Sequence, residues 1–187
     1  IMIKEGDAIE VKKIDGVKPG ELALNSSYPK SKLYSDSPML TDACKKCENW
    51  KEKDMIYIVG FVDEEKLKAL TIVYGDCYAA NREIYERIKD KVSLGLKELD
   101  VDLAETNELG RVNKVDPLGI TNLRIRGMWT IQNPLKVFSE HFKFEKSCEF
   151  ALRILMKEEK YNSFSEKDRK ILEKDKEIKI QNVKIQE

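Results

Sequence analysis

Apolar and polar residues follow recognisable spacings over most of the chain. Residues 8–14 and 123–131 alternate with the two-residue period of a strand, and residues 54–60 and 67–74 are apolar runs typical of buried strands. Residues 1–3 form a further strand-like segment, joined to residues 8–14 by a turn that contains Gly6, so we expect a hairpin there.

Helical spacing appears in three places. Apolar residues recur about every fourth position from about residue 79 to 97, which predicts an amphipathic helix packed on the sheet. Pro134, at a first-turn position, opens a second helix, and residues 148–162 form a third. Residues 15–54 and 105–122 have no sustained period and are rich in turn-forming residues, which is typical of functional surface.

Together these segments predict an α/β fold with a mixed central β-sheet flanked by helices. We expect residues 1–156 to form the core and residues 157–187 to form a charged C-terminal helix or tail, with an edge strand at 178–185.

Composition excludes several classes of protein. The chain has 187 residues, of which 34 are Lys or Arg and 34 are Asp or Glu, so its formal net charge is zero, and 41% of it is hydrophobic. Disorder of the whole chain is therefore not expected. Without an apolar run long enough to span a bilayer, or a leader peptide, the chain is predicted to be cytoplasmic with no membrane partner.

The residues Glu10-Val11-Lys12 are the sharpest candidate for chemistry. Side chains at positions i and i+2 of a strand share one face, so a carboxylate and an ammonium lie side by side. Mg²⁺-dependent phosphodiester hydrolysis needs oxygen ligands and a nearby cation. A three-residue pattern is weak by itself, however, since Glu and Lys often alternate on a solvated strand.

Longer segments make the pattern specific. Residues 9–14 (IEVKKI) resemble the second half of the PD-(D/E)xK nuclease motif. Further similarity lies in residues 24–33 (LNSSYPKSKL), 74–79 (YGDCYA) and above all 107–129 (NELGRVNKVDPLGITNLRIRGMW). Over about residues 1–140 the chain resembles type II restriction endonucleases of the NgoPII type.

The resemblance implies a restriction-endonuclease-like core that cuts double-stranded DNA at a short G/C-rich palindrome, GGCC in similar enzymes. It also implies a Mg²⁺ cofactor, a homodimer that matches the two-fold axis of the site, and a cognate DNA methyltransferase as system partner. Glu10 resembles the metal-binding acid, and Lys12 resembles the catalytic lysine. The alternatives are a non-cleaving DNA-binding fragment and a repair-type nuclease of the same fold.

The family's first acid has no good counterpart in this chain. Residues 1–3 resemble those that follow the Pro-Asp pair, so we expect the first metal ligand to precede Ile1 and the chain to be N-terminally truncated. Asp7 is a poor substitute, because it lies only three residues before Glu10. The chain as written is therefore expected to bind Mg²⁺ weakly and to cut DNA poorly or not at all.

Basic residues and small polar residues supply the candidate DNA contacts. Residues 111–136 carry five basic side chains against one acid, a net charge of +4, and arginine is the usual bidentate reader of guanine. The secondary candidates are Asn107 and Asn122. The predicted DNA-binding residues are Ser27, Lys30, Lys32, Arg111, Asn113, Lys114, Arg124 and Arg126.

Cysteine and histidine support no competing chemistry. Cys44 and Cys47 have the spacing of half a zinc site, but a closed site needs four ligands, and Cys77, Cys148 and His141 are far apart in the sequence. We favour free thiols or a local turn. A single histidine also argues against nucleases and hydrolases that need a histidine base.

Overall fold

The computed structural model describes residues 2–15, 21–25, 27–98, 109–114, 122–141 and 149–184. Their strands are β1 (Ala8–Asp15), β2 (Glu21–Asn25), β3 (Lys32–Tyr34), β4 (Glu52–Asp63), β5 (Lys66–Tyr74), β6 (Gly110–Val112), β7 (Leu123–Ile125), β8 (Met128–Gln132) and β9 (Ala151–Leu155). Their helices are α1 (Asp42–Lys46), α2 (Arg82–Lys97), α3 (Pro134–Val137), α4 (Glu158–Ser163) and α5 (Glu166–Lys174), with a 3₁₀ turn at Gly75–Cys77.

A mixed sheet with the strand order β1-β4-β5-β9 forms the centre of the fold. The pairs β1–β4 and β5–β9 are parallel, β4–β5 is an antiparallel hairpin, and β3 pairs antiparallel with the start of β4. The predicted α/β fold with a mixed central sheet flanked by helices is confirmed. The predicted hairpin before β1 is reduced to a tight turn with one antiparallel bridge, between Met2 and Ala8.

One face of this sheet holds the core. Alternate residues of β4 are buried, among them Met55, Tyr57 and Val59, as expected for a strand with one covered face. Ala8 packs with Met55 and Tyr57, whereas Ile14 packs with Val59 and with Leu22 of β2.

The opposite face carries an aliphatic row that crosses four strands. Val11 pairs with Ile58, Ile58 with Ile72, and Ile72 with Ile154. Val11 and Ile154 at the ends of this row are exposed, and the two central residues are half-buried. The face that carries Met55, Tyr57 and Val59 is thus the more covered one. Polar residues on that face call for a functional explanation, because burying a polar group costs free energy.

Two antiparallel ribbons lie outside the central sheet. Strand β2 pairs with β8, and β6 pairs with β7. Leu22 of β2 and Ile131 of β8 join the core around Ile14, so the β2–β8 ribbon covers one end of the sheet face that carries Glu10 and Lys12.

Several boundaries differ from the sequence-based expectations. The strand expected at 123–131 is split, because residues 126 and 127 belong to neither ladder and β7 and β8 pair with different strands. The irregular segments 15–54 and 105–122 contain short elements, namely β2, β3, α1 and β6.

The segment 148–162 is not a single helix. Its apolar run is β9, which pairs with the free side of β5, and only α4 behind it is helical. A short apolar run fits either structure, and here the unpaired sheet edge decides. The edge strand expected at 178–185 is absent from the described residues 178–184.

Helix α2 is confirmed, but its predicted packing on the sheet is wrong. No residue of α2 is buried, and Ile84, Ile88 and Val92 are exposed. The helix is held instead by Tyr85, whose ring stacks on Tyr28, and by Arg82, which pairs with Asp36 at 2.8 Å.

Helix α4 contacts the start of the central sheet through Lys160. Its ammonium lies 2.5 Å from Asp54 Oδ2 and 3.4 Å from Asp7 Oδ1, and it sits over the ring of Tyr74. The division at residue 156 stays a prediction. In the described part of the chain, every helix is too short or too polar to cross a bilayer.

Candidate active site

Glu10 and Lys12 lie side by side on β1, as their spacing predicts. Lys12 Nζ is 3.0 Å from Glu10 Oε1, and both side chains are on the covered face of the sheet. Lys13, one position further along, points the other way and pairs with Asp15 at 2.8 Å. The strand period therefore separates one lysine that can act with Glu10 from one that cannot.

The pair lies in a gap between two parts of the core. Ala8 and Ile14, on the same face of β1, are buried, whereas the side chains of Glu10 and Lys12 between them stay 38% and 26% exposed. Between two buried positions of this strand face, the partly exposed side chains of Glu10 and Lys12 mark an opening that we call the cleft. A carboxylate and an ammonium at its floor can bind a phosphodiester or a water molecule.

Lys30 brings a second cation to this cleft. Burial lowers the pKa of the Lys30 ammonium, and the nearby Glu10 carboxylate partly opposes that shift. The ammonium donates hydrogen bonds to the hydroxyl of Ser27 and to the carbonyl oxygen of Tyr28, the latter at 3.3 Å.

The backbone of Lys30 is fixed by Tyr57, which is paired with Glu10 across the β1–β4 ladder. The hydroxyl of Tyr57 accepts from the Lys30 N–H at 2.6 Å and donates to the Lys30 carbonyl at 3.2 Å. Burial raises the pKa of this hydroxyl far above its usual range, so it stays protonated and keeps both roles.

Gly75 holds the same segment from another side. A Cβ at this position would lie 2.6 Å from the carbonyl oxygen of Ser31 and closer still to that of Lys30. Only glycine allows this approach of two backbones. Sequence reasoning missed both Tyr57 and Gly75. Tyr57 could have been found, because it falls at a buried position of an apolar strand, where a tyrosine hydroxyl needs a hydrogen-bond partner.

Lys32 is placed differently from Lys30. It lies on β3, where its ammonium pairs with Glu52 at 2.5 Å, and this hydrogen bond raises the pKa of Lys32. The sequence grouped the two lysines together, but their surroundings differ: Lys32 pairs with Glu52, whereas the Glu10 carboxylate acts on the pKa of the buried Lys30.

The chain is similar to proteins of known class over almost its whole length. The sequence model of the NgoPII restriction endonuclease family matches residues 1–186. The chain belongs to the NgoPII restriction endonuclease family. It is 49% identical over 186 residues to the type II restriction enzyme NgoPII of Neisseria gonorrhoeae, a match that covers 98% of this chain and 66% of that protein. No solved structure matches. The predicted NgoPII-type resemblance is confirmed.

An aromatic cluster joins three parts of this NgoPII-family chain. Tyr28 and Tyr85 stack with ring centroids 5.1 Å apart, and Trp129 of β8 meets both rings edge to face. The Lys30 segment, α2 and the β2–β8 ribbon therefore meet at one place. Burial, followed by the Glu86 carboxylate, raises the pKa of Tyr28 to about 12.

The predicted DNA-reading residues of the family motif lie on the β6–β7 ribbon and its flanks. Arg111 pairs across the ladder with Arg124, and its Nε donates to Asn113 Oδ1 at 2.9 Å. Lys114 has a positive φ of 55°, and its N–H donates to Asn122 Oδ1 at 3.2 Å.

Arg126 comes directly after β7, and both Arg124 and Arg126 are exposed. The DNA-reading role of these residues stays a prediction.

The described residues do not complete a magnesium site. Glu10 is the one carboxylate in the cleft, next to two ammonium groups, and no three His, Cys, Asp or Glu residues cluster as metal ligands in the described ranges. Asp7 is engaged by Lys160 and by the Tyr74 hydroxyl at 3.3 Å.

Cys44 and Cys47 are free thiols on and just after α1, and Cys47 Sγ donates to the Cys44 carbonyl at 3.2 Å. The interpretation of these cysteines as free thiols or a local turn, and not as zinc ligands, stays a prediction. Asn107 and Cys148, also named as candidates, lie outside the described residues.

Proposed function

We propose that this chain is the catalytic and DNA-reading part of a Mg²⁺-dependent type II restriction endonuclease. Its substrate is double-stranded DNA with a short G/C-rich palindrome, GGCC in the first instance. The single observation that carries the proposal is the Glu10–Lys12 pair in a cleft of the covered sheet face, in a chain of the NgoPII family.

The chemistry is hydrolysis of a phosphodiester. A water oxygen forms a bond to phosphorus, the bond to one deoxyribose oxygen breaks, and that oxygen leaves with a proton. The ammonium of Lys12 orients the water or balances the charge that develops on the phosphate oxygens. Glu10 is the residue that would hold Mg²⁺, and the metal would polarise the phosphate; it is the one carboxylate that the described residues bring to this place.

The partners follow from the substrate. A palindrome has two-fold symmetry, so a homodimer presents one cleft to each strand. A cognate methyltransferase would protect the same sites on host DNA, and both proteins would act in the cytoplasm. The net +4 stretch over residues 111–136 supplies the local positive charge for DNA despite the neutral whole chain.

Plasmid cleavage tests the proposal. With the protein in excess over plasmid and Mg²⁺ present, we expect discrete fragments that end at GGCC, formed slowly because the described part of the chain brings one carboxylate to the cleft. Glu10→Gln and Lys12→Met are expected to reduce the rate by about 10²–10⁴-fold. Lys13→Met is the matched control, because Lys13 faces away from Glu10. Random nicks would instead indicate a repair-type nuclease.

The described residues bring one carboxylate, that of Glu10, to the cleft. This favours a second candidate function, a DNA-binding chain that does not cleave. Its signature is a preference for GGCC duplexes in Ca²⁺ with no fragments in Mg²⁺ from the same preparation. Loss of both binding and cleavage would contradict both candidates.

A further inference from the structure

The partners of Lys30 differ from those of the lysines on β1 and β3. Lys12, Lys13 and Lys32 each pair with a carboxylate. The described contacts of the Lys30 ammonium are with neutral groups, namely the Ser27 hydroxyl, the Tyr28 carbonyl and the face of the Tyr28 ring, whose centroid is 5.2 Å away. Burial of this ammonium lowers its pKa even though the Glu10 carboxylate is near, so a further anion would recover free energy that burial costs.

Contacts from two other parts of the chain fix the backbone position of Lys30. Tyr57 binds both backbone polar groups of Lys30, and Gly75 packs against the Lys30–Ser31 backbone with no space for a Cβ. Tyr57 also lies next to Glu10 in the β1–β4 ladder. The same tyrosine therefore relates the backbone of Lys30 to the strand that carries the Glu10–Lys12 pair.

We propose that Lys30 is a second active-site lysine, and that its ammonium contacts the same DNA phosphate as Lys12. The inference rests on the proposed nuclease function and goes further by assigning a residue to the reacting phosphate. Lys12 approaches from β1, and Lys30 approaches from the segment between β2 and β3. Two ammonium groups can then bind two different non-bridging oxygens and balance the charge that grows in the transition state.

The test measures coupling between a lysine and a phosphate without requiring cleavage. In Ca²⁺, the dissociation constant is measured for GGCC duplexes in which one phosphate at a time is replaced by a neutral methylphosphonate. The proteins are the parent chain and the variants Lys12→Met, Lys30→Met and Lys13→Met. Lys13→Met is the matched control, because Lys13 is next to Lys12 on β1 but faces away from Glu10 and pairs with Asp15.

One phosphate is expected to couple to both active-site lysines. Its neutralisation should weaken the binding of the parent and of Lys13→Met by about tenfold or more. The same change should weaken Lys12→Met and Lys30→Met by less than about twofold, since each variant has already lost the contact. Lys30→Arg, which keeps the charge, should restore part of the coupling and covers the case in which Lys30→Met folds poorly.

Two results would overturn the assignment of Lys30. If Lys12 couples to one phosphate and Lys30 couples to another or to none, the nuclease proposal stands and Lys30 is not an active-site residue. If neither lysine couples to any phosphate, the proposed function fails and the Lys30 assignment fails with it.

Discussion

At the scale of single residues, the Tyr57 hydroxyl fixes the position of Lys30, because it hydrogen-bonds both backbone polar groups of that residue. Tyr57→Phe removes one acceptor and one donor and leaves the Lys30 N–H and carbonyl without them. We expect the free energy of unfolding to fall by about 1–3 kcal/mol. Urea unfolding of the variant measures this loss. Tyr161→Phe is the control, because its hydroxyl bonds Glu173 on the exposed surface, and it should change stability much less. Equal effects would contradict the role given to Tyr57.

Arg126 is the residue-scale test of DNA reading. If it contacts a guanine, Arg126→Ala should weaken binding to the cognate duplex by about 1–3 kcal/mol and relax the preference at that base pair. Binding to cognate and unrelated duplexes, compared by fluorescence anisotropy, measures the change. Lys136→Ala, at an exposed position of α3 in the same basic stretch, should affect both duplexes alike. A variant with unchanged preference would remove Arg126 from the reading residues.

Sequence reasoning reached some residues of the site because their roles follow from local spacing. Glu10 and Lys12 needed only the period of a strand, which also separates Lys13 from them. Lys30 and Lys32 share that two-residue separation, yet Glu52 pairs with one and Tyr57 orders the backbone of the other. Those partners come from β4, distant in sequence, so no local pattern could distinguish the two lysines.

At the scale of elements, the turn before β1 depends on the buried Lys53 of β4. Its ammonium donates to the carbonyls of Ile3 and Gly6 at 2.9 and 2.7 Å and pairs with Glu48 at 2.5 Å. Glu48 also accepts from the N–H of Glu5, whose φ is positive. These contacts fix the turn that precedes β1, the strand that carries Glu10 and Lys12.

This network gives stability a defined dependence on pH. The hydrogen bond from Lys53, and then that from the Glu5 N–H, lower the pKa of Glu48 below its usual value. The contribution of Glu48 is therefore complete above the unfolded-state pKa of about 4.3 and is lost as the pH falls through the lower folded-state pKa. The free energy of unfolding of the parent should fall more steeply below about pH 4.3 than that of Glu48→Gln. Parallel curves from urea titrations at several pH values would contradict the assignment.

Helices and strands were predicted well where the pattern of apolar residues was long. They were predicted poorly where pairing with a strand distant in sequence decides the structure. Strands β4 and β5 and helix α2 follow from their apolar spacing. Strand β9 was mistaken for helix because five residues fit either structure, and the unpaired side of β5 selects the strand. Helix α2 was expected on the sheet, but aromatic contacts through Tyr85 hold it elsewhere.

At the scale of the whole molecule, neutral net charge and DNA binding are compatible because charge is distributed unevenly. The stretch 111–136 is net +4, and the cleft adds Lys12 and Lys30, while acids elsewhere balance the total. The β2–β8 ribbon and the aromatic cluster around Trp129 connect the Lys30 segment to β8, which lies within that stretch. The residues proposed to contact phosphate and those proposed to read bases are therefore structurally connected.

Site-specific recognition of DNA is the central claim, and competition binding tests it most directly. In Ca²⁺, a labelled GGCC duplex bound by the chain is competed with unlabelled GGCC or with a duplex of the same composition in which the four bases are reordered. We expect the GGCC competitor to be effective at concentrations at least about 10³-fold lower, the lower end of specific over non-specific binding. Equal competition by the two duplexes, or no binding of either, would contradict the account.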